Sequence, residues 1–119
     1  MHFVYIIYTR SFDKYYVGES IDPVERALQH NKGLYKGAST SFTKDWELKL
    51  TLSVATKEDA SKIERFIKSM KSKKFIIKLI SDDAFLQGFK KIVKEKFEIE
   101  FPYRSTVPPN IRGRPTPQL

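Results

Sequence analysis

Two hydrophobic periods alternate along this chain, and each change of period marks a new element. Residues 3–9, Phe-Val-Tyr-Ile-Ile-Tyr-Thr, form an unbroken β-branched and aromatic run, the pattern of a strand buried on both faces. Polar residues 10–14 follow, with Asp13 as turn former, and the shorter run Tyr15-Tyr16-Val17-Gly18 completes a predicted β-hairpin. Gly18 closes that run, where a missing side chain lets backbone or ligand come close. The period then changes to that of a helix. Asp22 is placed as N-cap, Pro23 at the first helical position, Glu25 as the capping-box acid and Gly33 as the stop. Val24 and Leu28 share a face and predict its buried side.

Alternation returns at residues 46–54. Trp46, Leu48, Leu50, Leu52 and Val54 fall on one side, with Glu47, Lys49 and Thr51 on the other, so a third, half-buried strand is expected. Thr56 caps a second predicted helix with Ala60, Ile63, Phe66, Ile67 and Met70 at helical spacing. Ser72 caps a short third helix through Phe75, Ile76, Ile77, Leu79 and Ile80. A fourth starts near Asp82, with Phe85, Phe89, Ile92 or Val93, and Phe97 as its stripe. The expected fold is α/β of the α+β kind, with a small three-stranded, mostly antiparallel sheet flanked by helices. Residues 1–80 form its main unit. Residues 81–101 form a C-terminal helical extension, packed on helices two and three or used as a dimer contact. Five of the six prolines lie between 102 and 119, alongside Arg112-Gly113-Arg114, and predict an extended or disordered Pro-rich tail.

Composition narrows the function. The 119 residues suit one hydrophobic core, and 40% hydrophobic residues suffice to build it. Without cysteine there is no disulfide, thiol nucleophile or Cys-bound zinc, and two histidines are too few for a His-rich metal cage. No apolar run approaches the ~20 residues of a membrane span, and no secretory leader pattern opens the chain, so a cytoplasmic protein is expected. The net charge of +8 and a pI near 9.7 point to a polyanionic partner. Between residues 62 and 78 seven Lys/Arg face one acid, Glu64. Lys32, Lys36 and Lys44 add charge to the loop before the third strand, with Tyr35, Phe42 and Trp46 interspersed. Such a surface engages phosphates with little sequence preference, and a solvated, solubilising Lys-rich helix is the competing reading.

Several polar residues occupy unusual places. Arg26 and His30 are one helical turn apart and share a face. Leu28 lies about 200° from each, which turns that face away from the predicted core. Alone, the pair reads equally well as a solvated helix face. Tyr5, Tyr8, Tyr15 and Tyr16 read as strand residues or as a site. Glu64 flanks the apolar stripe of its helix. A carboxylate there requires a cation, either Lys68 at i+4 or a metal.

Taken together, these positions resemble the GIY-YIG nuclease superfamily. The resemblance rests on Phe3-Val4-Tyr5, on Tyr16-Val17-Gly18 eleven residues on, on Arg26 eight residues after Gly18, on His30, and on Glu64 in the helix after the third strand. It spans residues 3 to about 80. Within the superfamily it is to small stand-alone bacterial members similar to the N-terminal nuclease domain of the excision-repair incision protein, with Asn31, Gly33 and the basic loop also similar. Phe3 stands where the family has Gly, Glu19 where the repair enzyme has Lys, and Ile76-Ile77 where several family enzymes carry an Asn. An acid at Glu19 is expected to repel a phosphate.

The resemblance implies a divalent-metal-dependent endonuclease that hydrolyses phosphodiester bonds, structure-selective, with a role in DNA repair and DNA expected ahead of RNA. Tyr5, Tyr16, Arg26, His30 and Glu64 would be catalytic. Glu64 would bind a single Mg²⁺ or Mn²⁺, Arg26 would grip the scissile phosphate, and a tyrosine would orient or deprotonate water. Gly18, Lys32, Lys36, Lys44, Lys68 and Lys71 would contact nucleic acid, and no organic cofactor or membrane partner is implied. Both strand tyrosines and the first two helices must then meet on one face. A non-catalytic nucleic-acid-binding module on the same fold is the alternative. An interaction protein working through the fourth helix and tail is the third.

Overall fold

A computed structural model describes residues 1–33 and 40–101. The expected tail, with Tyr35 and Lys36 of the basic loop, lies outside the described residues. The elements are β1 (His2–Thr9), β2 (Lys14–Ser20), α1 (Pro23–Asn31), β3 (Trp46–Val54), α2 (Lys57–Ser69), α3 (Lys73–Ser81) and α4 (Asp83–Phe97). Each helix starts at its predicted cap. The side chains of Asp22, Thr56, Ser72 and Asp82 accept from the backbone amides of Glu25, Asp59, Phe75 and Phe85. Gly33, at φ +73°, closes α1 by donating its amide to the His30 carbonyl. The carboxylate of Glu25 accepts from Gln29 at 3.3 Å.

The sheet is antiparallel throughout, in the order β2-β1-β3. Its central strand is buried on both faces, as the unbroken apolar run of β1 requires. Val4 and Ile6 point to one side and join Val17, Leu50, Leu52 and Val54 of the sheet with Ala60, Ile63 and Ile67 of α2. Leu79 of α3, Leu86, Phe89 and Val93 of α4, and Ile99 complete that core. Tyr5 and Ile7 point to the other side, where Trp46, Leu48 and Ala27 of α1 pack with Val24 and Tyr16. Each fully buried Leu or Ile contributes about 1.5–3 kcal/mol relative to exposure.

The prediction for β3 needs correction. Its five alternating apolar residues do not share a face. Ile6 pairs with Leu50 and Ile7 with Leu48, so Lys49 is an extra residue in the ladder. One bulge reverses the side-chain alternation of a strand. Trp46 and Leu48 therefore face α1, while Leu50, Leu52 and Val54 face α2. A single strand thus supplies both cores.

Two helix stripes also shift slightly. Met70 and Ile77, expected inside, are exposed. Met70 caps the end of α2, and in α4 Val93 rather than Ile92 enters the core. The α4 stripe packs within the chain, with Phe89 stacked on Phe66 of α2 at 5.8 Å between ring centroids and edge-on to Phe75 of α3.

Two acids tie the turns down. Asp13 adopts φ +53°, and its carboxylate accepts from Tyr8 at 2.8 Å and from Lys73 of α3 at 2.5 Å. Donation to Asp13 pushes the Tyr8 phenol up to about 12. Asp45 accepts from the hydroxyl of Thr9, from Thr43 at 2.7 Å, and from the hydroxyl and amide of Ser11 at 2.7 and 2.9 Å. These donors, Thr9 foremost, hold its carboxyl well below the usual carboxylate range.

Asp45→Ala should cost about 1–3 kcal/mol of stability, measured by denaturant unfolding at neutral pH. Because the folded-state carboxyl is depressed, its contribution is present above the unfolded value near ~3.9 and fades as pH falls below it. The stability gap between the wild-type chain and Asp45→Asn should therefore be widest above about pH 5 and narrow below about pH 4.

Candidate active site

The site begins with a close approach across the hairpin. Tyr5 on β1 pairs in register with Gly18 on β2. A Cβ at Gly18 would sit 2.5 Å from the Tyr5 hydroxyl and 2.6 Å from Cζ. The Tyr5 ring thus lies across the glycine, fully buried, in space that any other residue would fill. This is the physical reason for a glycine after Tyr16-Val17 within β2, which continues to Ser20.

From there the Tyr5 hydroxyl reaches His30 Nε2 on α1 at 3.1 Å. The other ring nitrogen, Nδ1, lies 2.8 Å from the hydroxyl of Thr40. With 6% of its surface exposed, His30 is a core residue, whereas Leu28 is 42% exposed. The expectation for α1 is therefore inverted: its Arg26–His30 face turns inward and Leu28 turns outward. Small Ala27 lets the helix close on the sheet, and two hydroxyls satisfy the imidazole that this buries. Burial first, and then the nearby Arg26 guanidinium, hold the His30 ring below its usual range, so it is neutral at pH 7.

Tyr16 completes the cluster. Its ring is 5.6 Å from His30, 6.4 Å from Tyr5 and 6.5 Å from Trp46, centroid to centroid. A third layer holds these rings in place. The Asn31 side chain clamps the Trp46 backbone, donating to its carbonyl at 2.9 Å and accepting from its amide at 2.7 Å. The Trp46 indole donates to the Thr40 carbonyl at 3.0 Å. Thr40 was not singled out in the sequence; a threonine in a polar loop gives no signal there.

Glu64 arrives by a different route from the one expected. Helix α2 packs on the opposite face of the sheet, so Glu64 does not share the tyrosine face. It reaches the site around the edge strand β2. Lys68 Nζ bonds the Glu64 carboxylate at 2.6 Å and sits 5.3 Å over the Tyr16 ring. The cation foreseen as a partner for Glu64 thus joins it to the cluster. Glu19, by contrast, alternates to the α2 side of β2 and contacts the His2 imidazole. Ile76 is half-buried against the larger core. Lys32, Lys44 and Lys71 are exposed, whereas Lys36 lies outside the described residues.

The model of the GIY-YIG catalytic domain matches residues 1–76. The chain belongs to the GIY-YIG family. Neither the curated proteins nor the solved structures contribute a match. A GIY-YIG catalytic domain is a nuclease domain that hydrolyses phosphodiester bonds, so nucleic acid is its substrate class, and such nucleases generally use a divalent metal. No helix among the described residues is long and apolar enough to cross a membrane.

The residues present fit such a metal. Among the described residues no cage of three or more His, Asp or Glu side chains is gathered. Glu64 offers one carboxylate, 18% exposed, at the rim of the cluster. One oxygen donor open to solvent suits a hard cation that keeps most of its water.

Gly18→Ala should displace the Tyr5 ring and cost about 1–3 kcal/mol in denaturant unfolding. The His30 ring protons should titrate by NMR below the reference value near ~6.5. Because the folded ring resists protonation, the wild-type chain should lose stability relative to His30→Gln as pH falls through about 6.5.

Proposed function

We propose that this protein is a divalent-metal-dependent endonuclease, structure-selective and acting on DNA in preference to RNA. The observation that supports it best is the convergence of Tyr5, Tyr16 and His30, with Glu64 brought to Tyr16 through Lys68. These residues come from four elements on two faces of the sheet, and core packing alone does not require their polar atoms to meet.

Each side chain has a part suited to phosphodiester hydrolysis. A neutral His30 whose Nδ1–H donates to Thr40 leaves Nε2 as acceptor toward the Tyr5 hydroxyl. Tyr16, half-buried and the more open of the two phenols, orients or deprotonates the attacking water, while buried Tyr5 donates to His30 and holds the imidazole beside it. Arg26, half-buried beside His30, grips two non-bridging oxygens of the scissile phosphate through its planar fork. Glu64 would hold Mg²⁺ or Mn²⁺, which would supply positive charge to offset the negative charge that builds up during hydrolysis. Lys68 exchanges the carboxylate for the substrate's phosphate. Lys62, Arg65, Lys71, Lys74 and Lys78 are all exposed along α2 and α3, while Lys32 and Lys44 flank the loop. They hold the backbone without reading bases, and their grip weakens with salt.

Small stand-alone bacterial proteins similar to the excision-repair nuclease domain remain the subgroup this reading favours, on Asn31, Gly33 and the basic loop. The non-catalytic alternative draws support from Ile76, an apolar residue where several family enzymes carry an Asn. Cleavage of labelled flap, branched, duplex and single-stranded DNA and RNA decides between them. Cutting should require Mg²⁺ or Mn²⁺, stop in EDTA, and fall about 10²–10³-fold in Glu64→Gln and in Arg26→Ala. Salt-dependent binding without cutting in any metal would establish the binding module instead.

A further inference from the structure

Two phenylalanines stand where no core needs them. Phe12, on the β1–β2 turn, is 50% exposed, and Phe42, in the loop before β3, is 45% exposed. Scattered exposed apolar residues are ordinary on soluble proteins, but these two are in contact. Their rings meet edge to face, 4.9 Å apart at an interplanar angle of 88°. Phe42 also lies 5.8 Å from Trp46, and Trp46 lies 6.5 Å from Tyr16. An unbroken series of rings therefore runs from open surface to the catalytic cluster.

The pair is also held in place. The Asp45 carboxylate bonds Ser11, next to Phe12, and Thr43, next to Phe42. One acid thereby locks the turn carrying the first ring to the loop carrying the second. A fixed aromatic surface loses little freedom when a flat partner settles on it.

Charge indicates what that partner is. Lys14 Nζ sits 5.8 Å from the Phe42 centroid, and Arg10 and Lys44 are exposed in the same turn and loop. The two acids nearby are engaged internally, Asp45 by Thr9, Ser11 and Thr43, and Asp13 by Tyr8 and Lys73. Exposed rings flanked by cations are the combination that binds unpaired nucleotides, with the rings taking bases and the cations taking phosphates. A paired duplex keeps its bases stacked on one another and has no free base face to offer.

We propose that Phe12 and Phe42 form a stacking platform for an unpaired base of the substrate strand, next to the phosphate that is cut. This inference rests on the nuclease reading and adds to it the feature recognised: a single-stranded flap, gap or unpaired junction. It assigns Lys14 to the phosphate of the stacked nucleotide, and it assigns the Asp45 tether a second task beyond stability.

The test is equilibrium binding of the full chain in EDTA to two fluorescent DNAs, a fully paired duplex and the same duplex with a short single-stranded flap. Phe42→Ala and Phe12→Ala should each weaken flap binding by about 5- to 100-fold and leave duplex binding within about twofold. Phe42→Trp should keep wild-type affinity. An abasic site in the flap should reproduce the Phe42→Ala loss, and the two changes together should cost no more than either alone, because both remove one contact. Circular dichroism confirms that each variant is folded.

Equal losses on flap and duplex, or wild-type flap affinity in Phe42→Leu, would overturn the platform. A concentration-dependent dimer lost in Phe42→Ala would assign the rings to a second copy of the chain and overturn it too. Metal-dependent cutting with undisturbed flap binding in the phenylalanine variants defeats this inference alone. Absence of any nucleic-acid binding or cutting by the wild-type chain defeats the nuclease reading itself.

Discussion

The candidate site depends on one contact, the Tyr5 ring lying across Gly18. Only a residue without Cβ leaves space for the phenol there, since an added carbon would stand 2.5 Å from its oxygen. With the ring in that position, its hydroxyl meets His30. With His30 so engaged, the inner face of α1 can be polar at its end and still close on the sheet. The inward turn of Arg26, the Thr40 contact and the place of Tyr16 all follow from that geometry.

The cluster is assembled from two layers with different tasks. The larger core, between the sheet and α2 to α4, carries most of the apolar burial and gives the fold its rigidity. The smaller one, under α1, combines apolar packing with paired polar groups: Tyr5 with His30, His30 with Thr40, and Asn31 with Trp46. The edge strand β2 is the seam between them. Because it is an edge, a long side chain on α2 can pass around it, and Lys68 does so. A closed sheet would have kept Glu64 and Tyr16 apart.

The bulge at Lys49 serves the same division. By reversing the alternation of β3 it sends Trp46 to the polar layer and Leu50 to the apolar one. Trp46 then connects three parts of the molecule, taking the clamp from Asn31, bonding Thr40 and touching Phe42. The chemistry of the cluster is thus braced by the same residue that joins it to the exposed aromatic pair.

Local signals in the chain determined a great deal. Caps at Asp22, Thr56, Ser72 and Asp82, the stop at Gly33 and the buried run of β1 are written in residue types whose hydrogen-bonding and steric preferences act within a few positions. Family spacing likewise singled out Tyr5, Tyr16, Arg26, His30 and Glu64. Which way each of them points was not legible. Helical periodicity placed Leu28 inside and His30 outside, because hydropathy cannot register two hydroxyls that arrive from a distant strand and loop and make a buried imidazole tolerable. Alternation put all of β3 on one face, because a one-residue bulge leaves no mark on composition. Glu64 was expected on the tyrosine face, and only the packing of α2 against the far side of the sheet made Lys68 the bridge around its edge. The short-range preferences of the backbone settled the elements. Long-range satisfaction of polar groups, decided in the tertiary structure, settled which side chains meet.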